Sequence, residues 1–97
     1  MRKAILNKIN TINGMLKEVN NLSNFVHTYD GGTFPYYIIL KSPIEIKNQF
    51  VYIHEEKAKH SYNFEKRYNT NNETQSEDLN YHLNLICKEF KKAIKNQ

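Results

Sequence analysis

The residues of this chain best suited to chemistry are four histidines, a single cysteine and a mixed aromatic and basic group between positions 37 and 67. A zinc-protease site needs two histidines four positions apart on one helical face, with a glutamate beside the first. His54-Glu55-Glu56 opens in that way, but Ala58 stands four positions after His54 and His60 comes too late. His27 and His82 stand singly and Cys87 is the one thiol, so no metal site is expected. Gly31-Gly32 lacks the helix start of a phosphate cradle, and no Gly-rich loop ends in Lys-Ser or Lys-Thr, which argues against nucleotide hydrolysis. Cys87 follows Ile86 at the edge of an apolar stripe, the setting of a half-buried structural thiol rather than of a nucleophile. His54, Lys57, Lys59, His60 and Arg67 are the side-chain types of a metal-free ribonuclease, which needs a few cations and acid–base groups around one phosphate, but their spacing is not specific. No catalytic residue and no cofactor are therefore expected.

Aromatic and basic residues together suit binding. Tyr37, Phe50 and Tyr52 can stack on a base or anchor a protein partner, while Lys41, His54 and Arg67 can meet phosphates or acidic side chains. These six are the expected binding residues, provided that one face of one sheet carries them all.

The elements that must place them are legible from periodicity. Ile5, Ile9, Ile12, Leu16 and Val19 fall at alternating four- and three-residue steps, and Leu79, Leu83, Ile86, Phe90 and Ala93 repeat the rhythm. Each set forms one apolar stripe on a helix. The first helix is expected from about Arg2 to His27, with Asn13-Gly14 its weak point, since a glycine inside a helix costs about 1 kcal/mol relative to alanine and Asn-Gly is also a turn signal, two shorter helices being the alternative. Tyr29-Asp30-Gly31-Gly32-Thr33 supplies the stop. Phe34 to Lys41 is β-branched and aromatic and reads as the first strand, with Ile44-Glu45-Ile46 extending it beyond Ser42-Pro43. Lys47-Asn48-Gln49 is a turn, and Phe50 to His54 is the second strand. Between Glu55 and Lys59 good helix formers compete with strand. Tyr62, Phe64 and Tyr68 alternate and make Ser61 to Tyr68 the third strand. Asn69 to Gln75 reads as a polar loop, and Thr74-Gln75-Ser76-Glu77 as a capping box, with Ser76 an equally good cap.

The resulting order is helix, three strands, helix, in a single domain spanning 1–97. The expected fold class is α+β, two helices packed on one face of a three-stranded antiparallel sheet. Tyr36, Ile38, Leu40, Val51, Ile53, Tyr62 and Phe64 then turn inward, leaving a core that is apolar apart from tyrosine hydroxyls. Tyr37, Ile39, Lys41, Phe50, Tyr52, His54 and Arg67 turn outward. This order resembles that of the double-stranded RNA-binding domain, which also has a helix, three strands and a helix with both helices on one side. That family uses a lysine-rich start of its last helix against phosphates, where this chain has Ser76, Glu77 and Asp78, so the likeness extends to element order and not to function.

Size and charge bound the rest. A chain of 97 residues buries one modest core. The net charge of +4 favours polyanions or an acidic partner, although bases and acids are interspersed along most of the chain. A lone cysteine fits a reducing cytoplasm. Asn7, Lys8 and Asn10 break up any signal-peptide core behind Met1-Arg2-Lys3, and the apolar run Tyr36 to Leu40 is far shorter than the roughly 20 residues of a membrane span. The abundance of Asn, Lys and Ile marks AT-rich coding DNA, as in low-GC bacteria, their phages or some protists. The expected function is a small non-enzymatic binding protein that occupies a surface of a host protein or complex, as a phage or mobile-element inhibitor would. The alternatives are a single-stranded nucleic-acid-binding module using the same face, and the metal-free ribonuclease toxin. An aromatic sheet face equally suits a homodimer.

Overall fold

The computed structural model describes residues 1–20, 27–29, 36–40, 42–57 and 62–95, with the backbone alone at 20, 27–29, 36–39, 56–57 and 62–64. Its elements are α1 (Lys3–Asn20), β1 (His27–Tyr29), β2 (Tyr36–Leu40), β3 (Glu45–Lys47), β4 (Phe50–Lys57), β5 (Tyr62–Asn69) and α2 (Glu73–Lys95). β4 is the central strand. It pairs antiparallel with β5 along its whole length, while its other edge meets β2 near Glu55–Lys57 and β3 near Phe50–Tyr52. β2 and β3 thus act as one strand interrupted at Ser42-Pro43, where proline has no N–H to give to a ladder. With that strand counted once, the fold is the expected α-β-β-β-α arrangement of two helices on one face of a three-stranded antiparallel sheet, and β1 adds a short edge against β2.

The seams do what their spacing requires. Ile5, Ile9, Ile12, Leu16 and Val19 of α1 are all buried, as are Leu79, Leu83, Ile86 and Phe90 of α2, against Leu40, Ile44, Val51, Ile53 and Tyr68. Ser76 extends the α2 seam by one step and is buried too, so it is part of the packed stripe and not a cap. A fully buried Leu or Ile side chain contributes about 1.5–3 kcal/mol, so these stripes dominate the stability.

Four expectations at element ends are corrected. The described α1 stops at Asn20, and His27 opens β1 opposite Ile38, so the helix does not reach His27. The seam has its last member at Val19, and His27-Thr28-Tyr29 is a β-branched and aromatic run that gains more from pairing than from an unsupported helix. The second strand continues past His54 to Lys57, because Glu55 finds a partner on the inner face. The helix cap is Asn72 rather than Thr74: Asn72 Oδ1 accepts from the Gln75 N–H at 3.0 Å. The segment before it is tightly bonded rather than loose. Gln75 Oε1 accepts from the Asn69 N–H at 2.8 Å, Asn69 Oδ1 from the Asn71 N–H at 3.0 Å, and the Asn69 carbonyl from the Asn72 N–H at 3.1 Å.

Two further ties set the register. Asn48 holds φ at 57° between β3 and β4, a conformation asparagine tolerates, and the Gln49 carbonyl accepts both the Thr70 N–H (2.8 Å) and the Thr70 hydroxyl (2.7 Å). Asn13 is the other tie. Its amide gives a hydrogen bond to the Ile44 carbonyl (3.0 Å) and takes one from the Ile44 N–H (2.8 Å), imitating a strand partner where the ladder is broken. The Asn13-Gly14 pair is therefore no turn, and α1 runs through it unbroken. Among the described residues, a Cβ at Gly14 would meet nothing within 4 Å.

Two stability outcomes follow from these contacts. Gly14→Ala is expected to stabilise by about 1 kcal/mol, read as a rise of about 4–8 °C in melting temperature; an unchanged or lower value would show that the glycine has a conformational role. Asn13→Ala is expected to cost about 1–3 kcal/mol in chemical denaturation by stranding the Ile44 amide, whereas Asn10→Ala on the exposed side should stay within about 0.5 kcal/mol.

Candidate functional site

Alternation along β4 divides its residues between two environments. Val51, Ile53 and Glu55 are buried on the helix side, while Phe50, Tyr52 and His54 are half-buried on the other. Register then fixes their neighbours on the outer face: Tyr52 lies opposite both Glu45 and Arg67, Phe50 opposite Lys47 and Asn69, and His54 opposite Glu65. The Arg67 guanidinium sits 5.0 Å from the centre of the Phe50 ring, one diagonal step away, and Lys47 Nζ sits 5.5 Å from the centre of the Tyr52 ring. Each such cation–aromatic contact at an exposed site is worth about 0.5–1 kcal/mol. Glu65 and Glu45 complete the patch, 3.9 Å from His54 Nδ1 and 3.6 Å from Lys47 Nζ respectively. These exposed pairs add little stability, but they hold the rings and charges in a common pattern.

Four of the six expected binding residues, Phe50, Tyr52, His54 and Arg67, are therefore brought together. Tyr37 holds a strand position opposite Thr28 in β2, and its side chain lies outside the described residues, as does all of Lys41. Lys47, Glu45 and Glu65 belong to the same patch and were not expected there. Their signal was available in the strand register, since each faces an outward residue of β4.

The inner face holds a polar chain that corrects the expectation of an apolar core. The Glu55 carboxylate, 3 % exposed, is 2.5 Å from His82 Nε2, and His82 Nδ1 is 2.8 Å from the Tyr68 hydroxyl. A carboxylate only accepts, so His82 carries its proton on Nε2 toward Glu55, and in the neutral ring Nδ1 accepts from Tyr68. The Tyr68 and His82 rings meet edge to face at 5.8 Å, and Lys66 Nζ lies 5.6 Å from the centre of the Tyr68 ring. Carboxylate, imidazole and hydroxyl in this order could in principle activate a nucleophile. Here Tyr68 is only 6 % exposed, and burial, with smaller contributions from Glu55 and Asp78, pushes the pKa of its hydroxyl from 10.0 up to about 12. Through His82 and Glu55 this hydroxyl ties β4, β5 and α2 together.

Cys87 is half-buried against the core. Among the described residues no cluster of three or more His, Cys, Asp or Glu side chains could hold a metal ion, and no helix is long and apolar enough to cross a membrane.

The Tyr68 hydroxyl sets a pH dependence with a definite sign. Its pKa is higher in the folded state than in the unfolded one, so its stabilising contribution is complete below pH 10 and is lost as pH rises from 10 toward 12. Urea unfolding from neutral pH to pH 12 is expected to show that decline in the parent protein and a flatter profile in Tyr68→Phe. Parallel profiles would show that Tyr68 titrates normally. Compared with protein-family models, curated proteins and solved structures, the chain matches none of them.

Proposed function

We propose that this chain is a small non-enzymatic binding protein whose outer sheet face docks onto a partner protein and blocks a surface that partner needs. The observation that carries the reading is the patch of Phe50 and Tyr52, half-buried and each with a cation over its ring, at the centre of a face bordered by His54, Arg67, Glu45 and Glu65. Aromatic residues and arginine are the groups that dominate protein interfaces, and rings already held in place lose little freedom when a partner covers them. Lys47 and Arg67 on this patch are matched in number by Glu45 and Glu65, which suits a mixed-charge protein surface better than a polyanion. With its AT-rich coding signature and compact size, an inhibitor of a host system encoded by a phage or mobile element is the identity that fits.

The experiment is affinity capture from a low-GC bacterial host, with nuclease treatment of the captured material, repeated with Phe50→Ala, Tyr52→Ala and Arg67→Ala. Each variant is expected to reduce capture of one protein partner about tenfold or more while its melting temperature stays within about 4 °C of the parent. Capture that disappears on nuclease treatment, or variants that unfold at far lower temperature, would contradict the proposal.

A further inference from the structure

The structure assigns a second binding surface to the exposed side of α2, where Lys88, Lys91, Lys92 and Lys95, with Tyr81, take the backbone and a base of single-stranded nucleic acid. The inference is independent of the sheet-face reading. The chain has 14 basic and 10 acidic residues, and residues 88–95 carry four lysines and one glutamate, +3 of the chain's net charge of +4. At about 100° of rotation and 1.5 Å of rise per residue, the four fall within a sector of about 100° and along about 10 Å of helix axis. All four are exposed, and among the described residues none makes an ion pair. Glu89, the one acid in this stretch, lies outside the sector and is half-buried.

The helix dipole accounts for only part of this. Lys92 and Lys95 occupy the last turn, where cations are favoured, but Lys88 and Lys91 precede it, and the dipole effect fades within one turn. The opposite side of α2 is sealed by Leu79, Leu83, Ile86 and Phe90, so the stripe is rigid, points away from the sheet and has no apolar face free to enter a bilayer. Tyr81 lies in the same sector, two turns before Lys88, and is 64 % exposed. An exposed ring in line with a row of cations is the combination that holds single strands, the ring stacking on a base while ammonium groups follow the phosphates. Lysine offers charge without the planar fork of arginine, so the surface attracts the backbone without reading sequence.

The test is fluorescence anisotropy of a labelled oligothymidylate with the full chain across a salt series. Four phosphate contacts give an expected slope of log K against log salt of about −3, and each Lys→Gln substitution at 88, 91, 92 or 95 should reduce its magnitude by about 0.7. Tyr81→Ala should weaken binding at least fivefold, the lower end expected from about 1–3 kcal/mol of stacking per base. Glutamine forms helices about as well as lysine, so the variants are expected to keep the parent circular dichroism and melting temperature. Phe50→Ala and Tyr52→Ala should bind the oligonucleotide as the parent does. The proposal is overturned if the parent does not bind at low salt, if the fourfold Lys→Gln variant binds undiminished, if binding is lost in the Phe50 or Tyr52 variants instead, or if anionic vesicles are bound and the oligonucleotide is not.

Discussion

Burial of two helical stripes against one side of a short sheet is the constraint from which the rest follows. Because side chains alternate along β4, sealing Val51, Ile53 and Glu55 beneath α1 and α2 forces Phe50, Tyr52 and His54 to the opposite side. A slip of one residue would exchange the two sets and place aromatic rings and a histidine in the core. The register is accordingly held at several points. Asn13 clamps Ile44 where the first ladder is broken, the Gln49 carbonyl binds Thr70 across the end of the sheet, and Asn72 fixes the start of α2. The apolar core and the aromatic patch thus lie on two faces of the same strands.

The polar chain of Glu55, His82 and Tyr68 sits at the point where this division could fail. An ionised carboxylate in a core is costly unless it is paired and hydrogen-bonded, and removing one partner of such a pair typically costs about 3–5 kcal/mol. His82 supplies that partner from α2, and Tyr68 occupies the second ring nitrogen from β5. No buried side-chain polar atom among the described residues lacks a hydrogen bond. A helix sliding by one turn along the sheet would break both bonds at once, so the chain adds positional specificity to packing that apolar contacts alone leave tolerant.

What could be read in the sequence is what depends on local periodicity. The two stripes, the strand over 50–54, its hairpin partner at 44–46, the alternating strand before residue 69 and the outward position of Phe50, Tyr52, His54 and Arg67 all follow from spacing and propensity. What could not be read depends on partners distant in the chain. Glu55 looks like a surface residue until His82, 27 positions later, is seen beside it. Asn13 looks like half of a turn signal until Ile44, 31 positions later, meets its amide. Thr74 opens a capping box in the sequence, yet the cap is Asn72, because the bonds of Asn69 to Gln75 and to Asn72 settle the start of the helix. The aromatic outer face was half legible for the same reason: its rings follow alternation, whereas the charges of Glu45, Lys47 and Glu65 join it through pairing.

Two surfaces result, of different chemical character. One is a charge-balanced aromatic patch on the sheet, and the other is a lysine stripe on the outward side of α2, in a segment that carries most of the chain's excess charge. Both depend on the helices covering one sheet face and leaving its reverse open. Hydroxyl-radical footprinting of the free chain measures this directly. Phe50, Tyr52 and His54 should be modified in the folded state along with Tyr81, while Tyr68 and Phe90 remain protected until denaturant is added. Protection of Phe50 and Tyr52 equal to that of Tyr68 would show that the face is part of the interior and would contradict the account.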